Sequence, residues 1–273
     1  MQIVNLFSRT VFVLSITIFI FVGCSRNPYS STNKVYKKQV KTLTKTIRQY
    51  PLKDSVSNAP YFVGTTNFNL RKPNFVVIHH TAQNSCEQTL KTFTMTKTQV
   101  SAHYVICRNG TVHHMLNDYL RAWHGGAAKW GNNTDINSSS IGIELDNNGS
   151  EIFPEEQVQS LLKLLAVLKK NHSIPMANFI AHSDIAPGRK VDPSRFFSWQ
   201  KLSAQGFGLW YDTTAVIVPD NFDHVQALRI IGYDVKDSSA ALQSFKIHFV
   251  PDDKSKNLTE ADKKIMYALS KRY

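Results

Sequence analysis

Two acids, one lysine and a few of the ten histidines stand where strands end and loops begin. The apolar run Phe75–Ile78 closes on His79, and "NFIAH" closes in the same way on His182. Asp192 follows ten residues later, past Pro187 and Gly188. Two histidines and one aspartate form a three-ligand set that leaves zinc an open fourth position. Water on such an ion falls to a pKa of about 7 and becomes a nucleophile. Glu144, in "IGIELDNN", shares a strand face with Gly142 and Asp146, opposite Ile141, Ile143 and Leu145. A glutamate beside a glycine has room there for a substrate, and it can pass a proton from water to a leaving nitrogen. Lys190, two residues before Asp192, offers an ammonium to an oxyanion. Each residue alone also has a plainer reading, as a bonded core histidine, a solvated strand glutamate or a solvated loop lysine. The chain contains neither an HExxH helix nor a CxxC pair.

These side chains need elements to carry them. "FVVIHHTA" (75–82) reads as a buried strand, and Ser85 with Gln88 forms a capping box opening a helix. "SAHYVICRNGTVHHML" (101–116) reads as two strands around an Asn-Gly turn. "SSIGIELDNNG" (139–149) is a strand and turn, and "ANFIAHS" (177–183) a short strand. Residues 154–172 are the clearest helix, with Pro154 at its first position and Val158, Leu161, Leu162, Leu165 and Leu168 on one face. The stretch 182–196, "HSDIAPGRKVDPSRF", carries neither period and reads as loop. Beyond residue 212, three short helices share a small core of Leu228, Ile231, Leu242, Phe245, Phe249, Ile265 and Leu269. The expected fold is α/β of the α+β type: a central mixed β-sheet flanked by helices, then a small C-terminal three-helix bundle.

The chain has 273 residues and 42% apolar content, enough to bury a core and to exclude wholesale disorder. Its net charge of +12 is concentrated in residues 25–58, which hold six Lys and two Arg against one Asp. A nucleic-acid binder gathers its basic residues on a folded face, so this distribution argues against one. Before Arg26 the only charge is Arg9, and "TVFVLSITIFIFVG" (10–23) is short for a membrane span but suits a signal-peptide core. It ends in "FVGC", which resembles the lipobox of bacterial lipoproteins, with Cys24 as the lipidated residue. Ser25 in place of Asp favours the outer membrane. The segment 24–58 is expected to be a basic tether. Tyr36, Val40, Leu43, Ile47 and Tyr50 recur at helical spacing within it, but the threonines weigh against a helix. Cys86 and Cys107 suit either a disulfide or two buried thiols.

Taken together, "VVIHHTA", "SAHYVICRNG", "RAWHGG", "SIGIELDN" and "IAHSDIAPGRKVDP" resemble the successive motifs of zinc-dependent N-acetylmuramoyl-L-alanine amidases. That family shares its fold with peptidoglycan-recognition proteins. The resemblance covers about residues 60–205 and is nearest to the lipoprotein amidases of the Gram-negative outer membrane. It implies a catalytic domain over 59–205, preceded by the signal peptide over 1–23 and the tether over 24–58 read above; over 212–273, "QALRIIGYDV", "ALQSFKIHFVP" and "LTEADKKIMYAL" separately resemble the three-helix peptidoglycan-binding module. The amidase resemblance implies one zinc ion on His79, His182 and Asp192, with Glu144 and Lys190 as the catalytic glutamate and the transition-state lysine. His80 stands outside the metal set. Some relatives carry a catalytic Tyr at the position of Ala102, and its absence puts more weight on Glu144. His103 and His124 are expected to line the site and meet substrate or to orient the metal ligands from behind, and Arg189 to meet substrate. The implied activity is hydrolysis of the amide between N-acetylmuramic acid and L-alanine in peptidoglycan or muropeptides. The implied setting is a monomer held at the membrane by its lipid and facing the periplasm. The alternatives are a wall-binding lipoprotein that has lost catalysis and a purely structural tether.

Overall fold

The computed structural model describes residues 27–48, 60 and 64–273. They belong to two compact units, Met1–Gly64 and Thr65–Tyr273. The expected signal peptide, Cys24 and Tyr50 lie outside the described residues.

The first unit contains helix α1, Ser30–Ile47, none of whose residues is buried. The span is therefore helical, against the expectation that its threonines disfavour a helix. The threonines do not break the helix: the hydroxyls of Thr42, Thr44 and Thr46 donate to the carbonyls of Lys38, Val40 and Thr42. Such bonds to the carbonyl four residues back are compatible with a helix, although they weaken it slightly. Among the described residues no helix is long and apolar enough to cross a membrane.

The second unit is built on five strands: β1 (Phe75–His80), β2 (Tyr104–Ile106), β3 (Val112–His114), β4 (Ser140–Leu145) and β5 (Phe179–Ala181). Their order is β3-β2-β4-β1-β5. β2, β4, β1 and β5 run parallel, and β3 pairs antiparallel with β2 across the Asn-Gly turn. The sheet is therefore mixed, as its sequence implies. Helix α2 (Cys86–Thr94) follows β1, and its Ser85 cap accepts from the Gln88 N–H. Helix α3 (Ile136–Ser139) leads directly into β4.

Alternation divides the sheet's apolar residues between two cores. Val76, Ile78, Ile141, Ile143 and Leu145 face helix α4 (Glu155–His172) and its Val158, Leu161, Leu165 and Leu168. Pro154 is the residue before this helix rather than its first, and its carbonyl accepts from Val158. After β5 come two short helices, α5 (His182–Ile185) and α6 (Trp199–Ala204).

Val77 and Ile180 point to the other face. There they meet the three C-terminal helices, α7 (His224–Ile231), α8 (Ser238–Phe249) and α9 (Glu260–Ser270). All seven residues expected to form a separate small core are buried in this shared one. The helices beyond residue 212 thus complete the second face of the sheet. Inside them, the 1%-exposed Lys246 donates to Asp253 at 2.6 Å and lies 3.1 Å from Asp262. That pairing satisfies a buried charge that would otherwise be costly.

Cys86 and Cys107 form a disulfide, with Cα atoms 5.2 Å apart and 21 positions between them in sequence. It ties the start of α2 to the end of β2. Closing a loop of that length should stabilise the fold by about 3 kcal/mol. Cys86→Ser with Cys107→Ser is expected to lower urea-unfolding stability by about that amount, without altering the circular dichroism of the folded protein. Phe245→Ala, at the centre of the shared core, should cost about 3–5 kcal/mol and unfold sheet and helices in one transition by both near- and far-UV circular dichroism.

Candidate metal centre

The parallel strands bring the chemistry to one end of the sheet, at the carboxyl ends where open α/β sheets gather their ligands. His79 is the fifth residue of β1 and pairs in register with Glu144, the fifth of β4. His182 stands immediately after β5. Because β5 pairs with β1 through Val77↔Ile180 and Ile78↔Ala181, His182 arrives beside His79.

Asp192 is returned by the irregular stretch. Its backbone carbonyl accepts from the Ser183 N–H at 2.8 Å, and Gly188 makes the turn at φ +74°. The first four residues of that stretch are helical, which differs from the loop expected there. The Asp184 carboxylate accepts from the Ala181 N–H at 2.8 Å and so caps one turn, α5.

His79 Nδ1 lies 2.9 Å from His182 Nδ1 and 3.2 Å from Asp192 Oδ2, and the latter two atoms are 2.9 Å apart. All three side chains are buried. The separations approach the edge of about 3.3 Å of a tetrahedron with zinc–ligand bonds of 2.0–2.1 Å. Two nitrogens and one carboxylate oxygen at such distances suit a divalent cation with an open coordination position. The second ligand-like group among the described residues, Cys86, Cys107 and His113, is closed by the disulfide.

The electrostatics follow from burial and from these neighbours. Burial and the adjacent His182 lower the His79 pKa to about 4. Burial pushes Asp192 upward, but the adjacent His182 and His79 outweigh it and hold the carboxyl well below its usual range. Glu144 is pushed up to about 8 by burial and by the charge of Asp192, with Lys190 pulling it back. Its Oε2 is sealed from solvent without a hydrogen-bond partner among the described residues. A buried carboxylate left unpartnered beside a candidate metal site is a candidate for proton transfer. Lys190 is half-buried, and its charge acts on Glu144, His79 and His80 alike.

The structure brings together five of the residues picked out from the sequence: His79, His182, Asp192, Glu144 and Lys190. The remaining three occupy other positions. His103 is fully buried, with Nε2 2.9 Å from the Leu120 carbonyl and Nδ1 accepting the Gly142 N–H at 3.0 Å. With both nitrogens committed to backbone, it is not open to substrate. His124 stands behind His79, with Nδ1 3.0 Å from His79 Nε2 and Nε2 3.0 Å from Ser140 Oγ. Its ring covers Gly142, where an added Cβ would come within 2.4 Å of it. The space read beside Gly142 as room for substrate is therefore filled by His124. The Arg189 guanidinium donates to the carbonyls of Gly125 and Ala127, both at 2.7 Å, and braces that loop. His80, left out of the metal set, accepts the Ser194 N–H at Nδ1.

The sequence profile of the N-acetylmuramoyl-L-alanine amidases matches residues 69–195. N-acetylmuramoyl-L-alanine amidase AmiD of Escherichia coli K12 is 33% identical over 208 residues, which cover 64% of this chain and 74% of AmiD. The chain belongs to this amidase family. The amidase is also 36% identical over 104 residues to the 1,6-anhydro-N-acetylmuramyl-L-alanine amidase AmpD of Haemophilus influenzae, covering 38% of this chain and 56% of AmpD. Among solved structures it resembles E. coli AmiD in complex with anhydro-N-acetylmuramic acid-L-Ala-D-γ-Glu-L-Lys, with a TM-score of 0.66 and 29% identity over 77% of this chain and 93% of that one. It also resembles AmpDh3 of Pseudomonas aeruginosa, at 0.68 and 27% identity over 80% and 98%. The amidase is thus a hydrolase of peptidoglycan turnover.

Sequence reasoning missed the residues that hold this site from behind. Asn137 Oδ1 accepts the N–H groups of Gly125 and His124. Asp184 also accepts from the Tyr233 hydroxyl at 2.8 Å and lies 2.7 Å from His248 Nδ1, so two residues of the C-terminal region grip the turn that starts at His182. No spacing rule announces partners 49 and 64 positions away. Asp184→Ala leaves several buried groups without their acceptor, each costing about 1–3 kcal/mol. The amidase should therefore lose at least about 3 kcal/mol in urea unfolding, against about 1 kcal/mol for Tyr233→Phe.

Proposed function

We propose that this amidase is a zinc hydrolase, cutting the amide that joins the lactyl group of N-acetylmuramic acid to the L-alanine of the stem peptide. The observation that carries the reading is the convergence of His79 Nδ1, His182 Nδ1 and Asp192 Oδ2 beside the unpartnered carboxylate of Glu144. Zinc held by the three ligands would polarise the scissile carbonyl and lower the pKa of water. Burial raises Glu144 to about 8 without a cation; the charge of a bound zinc would draw that pKa down, leaving the carboxylate to take the proton of the attacking water and deliver it to the departing nitrogen. The Lys190 ammonium stabilises the developing oxyanion. The likeness to AmiD and AmpDh3 supports muropeptides as substrates, since AmiD was solved with an anhydro-muramyl tripeptide and AmpDh3 with an anhydromuramic pentapeptide.

In the same proposal, Cys24 carries a lipid that holds the monomeric enzyme at the outer membrane, facing the periplasm. The apolar stretch 10–23 ending in "FVGC" supports this reading, and labelling of Cys24 by a radiolabelled fatty acid tests it.

Muropeptide digestion with mass analysis of products tests the activity. Release of free stem peptides should stop with a chelator and return with added zinc. An unchanged digest from folded, zinc-loaded protein would favour the binding-only alternative. Glu144→Gln should keep its zinc and lose about 10²–10⁴-fold in kcat, and Lys190→Met about 10²–10³-fold. Full activity in Glu144→Gln would show that the base lies elsewhere.

A further inference from the structure

A neutral imidazole carries one N–H, and only its other nitrogen can bind a cation. His79 and His182 must both therefore leave Nδ1 bare if they are to hold zinc with Asp192. For His182 the choice is made by backbone. Its Nε2 lies 3.2 Å from the Gly125 carbonyl, which can only accept, so Nε2 keeps the proton.

For His79 the choice is not made locally. Its Nε2 faces another imidazole nitrogen, His124 Nδ1, at 3.0 Å, and either ring could be the donor. The carboxylate of Asp192, 3.2 Å from His79 Nδ1, draws the proton to the nitrogen that must stay bare. Two contacts further back the ambiguity ends. The Ser140 hydroxyl lies 2.6 Å from the Ile136 carbonyl and 3.0 Å from His124 Nε2. The carbonyl only accepts, so Ser140 gives it the single hydroxyl proton. Ser140 Oγ then accepts from His124 Nε2–H. His124 Nδ1 is left as an acceptor, His79 Nε2 must be the donor, and His79 Nδ1 is bare.

We propose that Ser140 and His124 are positioning residues of this amidase, forming a relay anchored on the Ile136 carbonyl of α3 that fixes the tautomer of His79 for metal binding. Gly142 is the structural condition for it, since any side chain there would displace the His124 ring. Ser140 and His124 are both buried, and the relay acts through His79. Its contribution is to keep one proton on the far side of the His79 ring, and partners of metal-bound histidines typically influence affinity about 10–100-fold.

The inference rests on the metal reading, and the test separates the two. Two-dimensional ¹H–¹⁵N NMR of the histidine rings in metal-free protein should show His79 as the Nε2–H tautomer. In Ser140→Ala a population of the Nδ1–H form should appear, and zinc affinity, measured by competition with a chromophoric chelator, should fall about 10–100-fold. Ser140→Thr, which restores the hydroxyl, should recover both. Unchanged tautomer and zinc affinity within twofold of wild type in Ser140→Ala would overturn the relay. If Ser140→Ala does not fold, His124→Asn and His124→Leu replace it. The asparagine oxygen can still accept from His79 Nε2 and leucine cannot, so zinc affinity should differ about tenfold or more. Equal affinities would overturn the proposal. A wild-type protein that binds no zinc refutes the metal reading alone, and the tautomer populations then decide the relay by themselves.

Discussion

Two imidazole nitrogens and a carboxylate oxygen are held within 3.2 Å of one another, out of solvent. Without a cation such groups gain little from proximity and lose their hydration. The surrounding structure must therefore impose the arrangement, and it does so with backbone. The His79↔Glu144 register and the β1–β5 pairing set where two of the groups emerge. The Ser183–Asp192 backbone hydrogen bond closes the third onto them. Strand pairing is the least deformable part of the fold, so a site built at strand ends keeps its spacing.

The C-terminal helices enter the same account. They bury Val77 and Ile180 on the face of the sheet that carries His79, and they supply Tyr233 and His248 to Asp184. Arg195 donates to the carbonyls of Pro251 and Asp253 and fastens the far end of the ligand stretch to the same region. The charges of residues 182–196 now divide into two groups. His182, Lys190 and Asp192 lie at the candidate metal centre, whereas Asp184, Arg189 and Arg195 hold the irregular backbone that carries them. A chain with no helix or strand to supply its hydrogen bonds must take them from side chains.

Much of this was legible along the chain. A continuous apolar run from Phe75 and apolar alternation in Ser140–Leu145 marked two strands, and the closing of Phe75–Ile78 on His79 and of "NFIAH" on His182 marked the site. His103 and His124 show the limit. They are the same residue type in neighbouring motifs, yet one holds β4 by its backbone and the other backs His79. Gly142 was misread for a related reason. A missing side chain shows that space is needed, but not what fills it. Helix α1 forms despite its threonines, because propensity is a weak prior and the five lysines among them favour a helix.

Residue chemistry, local period and chain order already specified a mixed sheet with helices, a ligand set and a candidate base, because those properties depend on neighbours a few positions apart. The docking of the last three helices on the sheet, the Cys86–Cys107 bridge and the bare Nδ1 of His79 depend on groups tens of residues away. A tautomer in particular belongs to a ring together with its partners, and those partners, His124 and Ser140, are assembled only when α3 and β4 fold against β1.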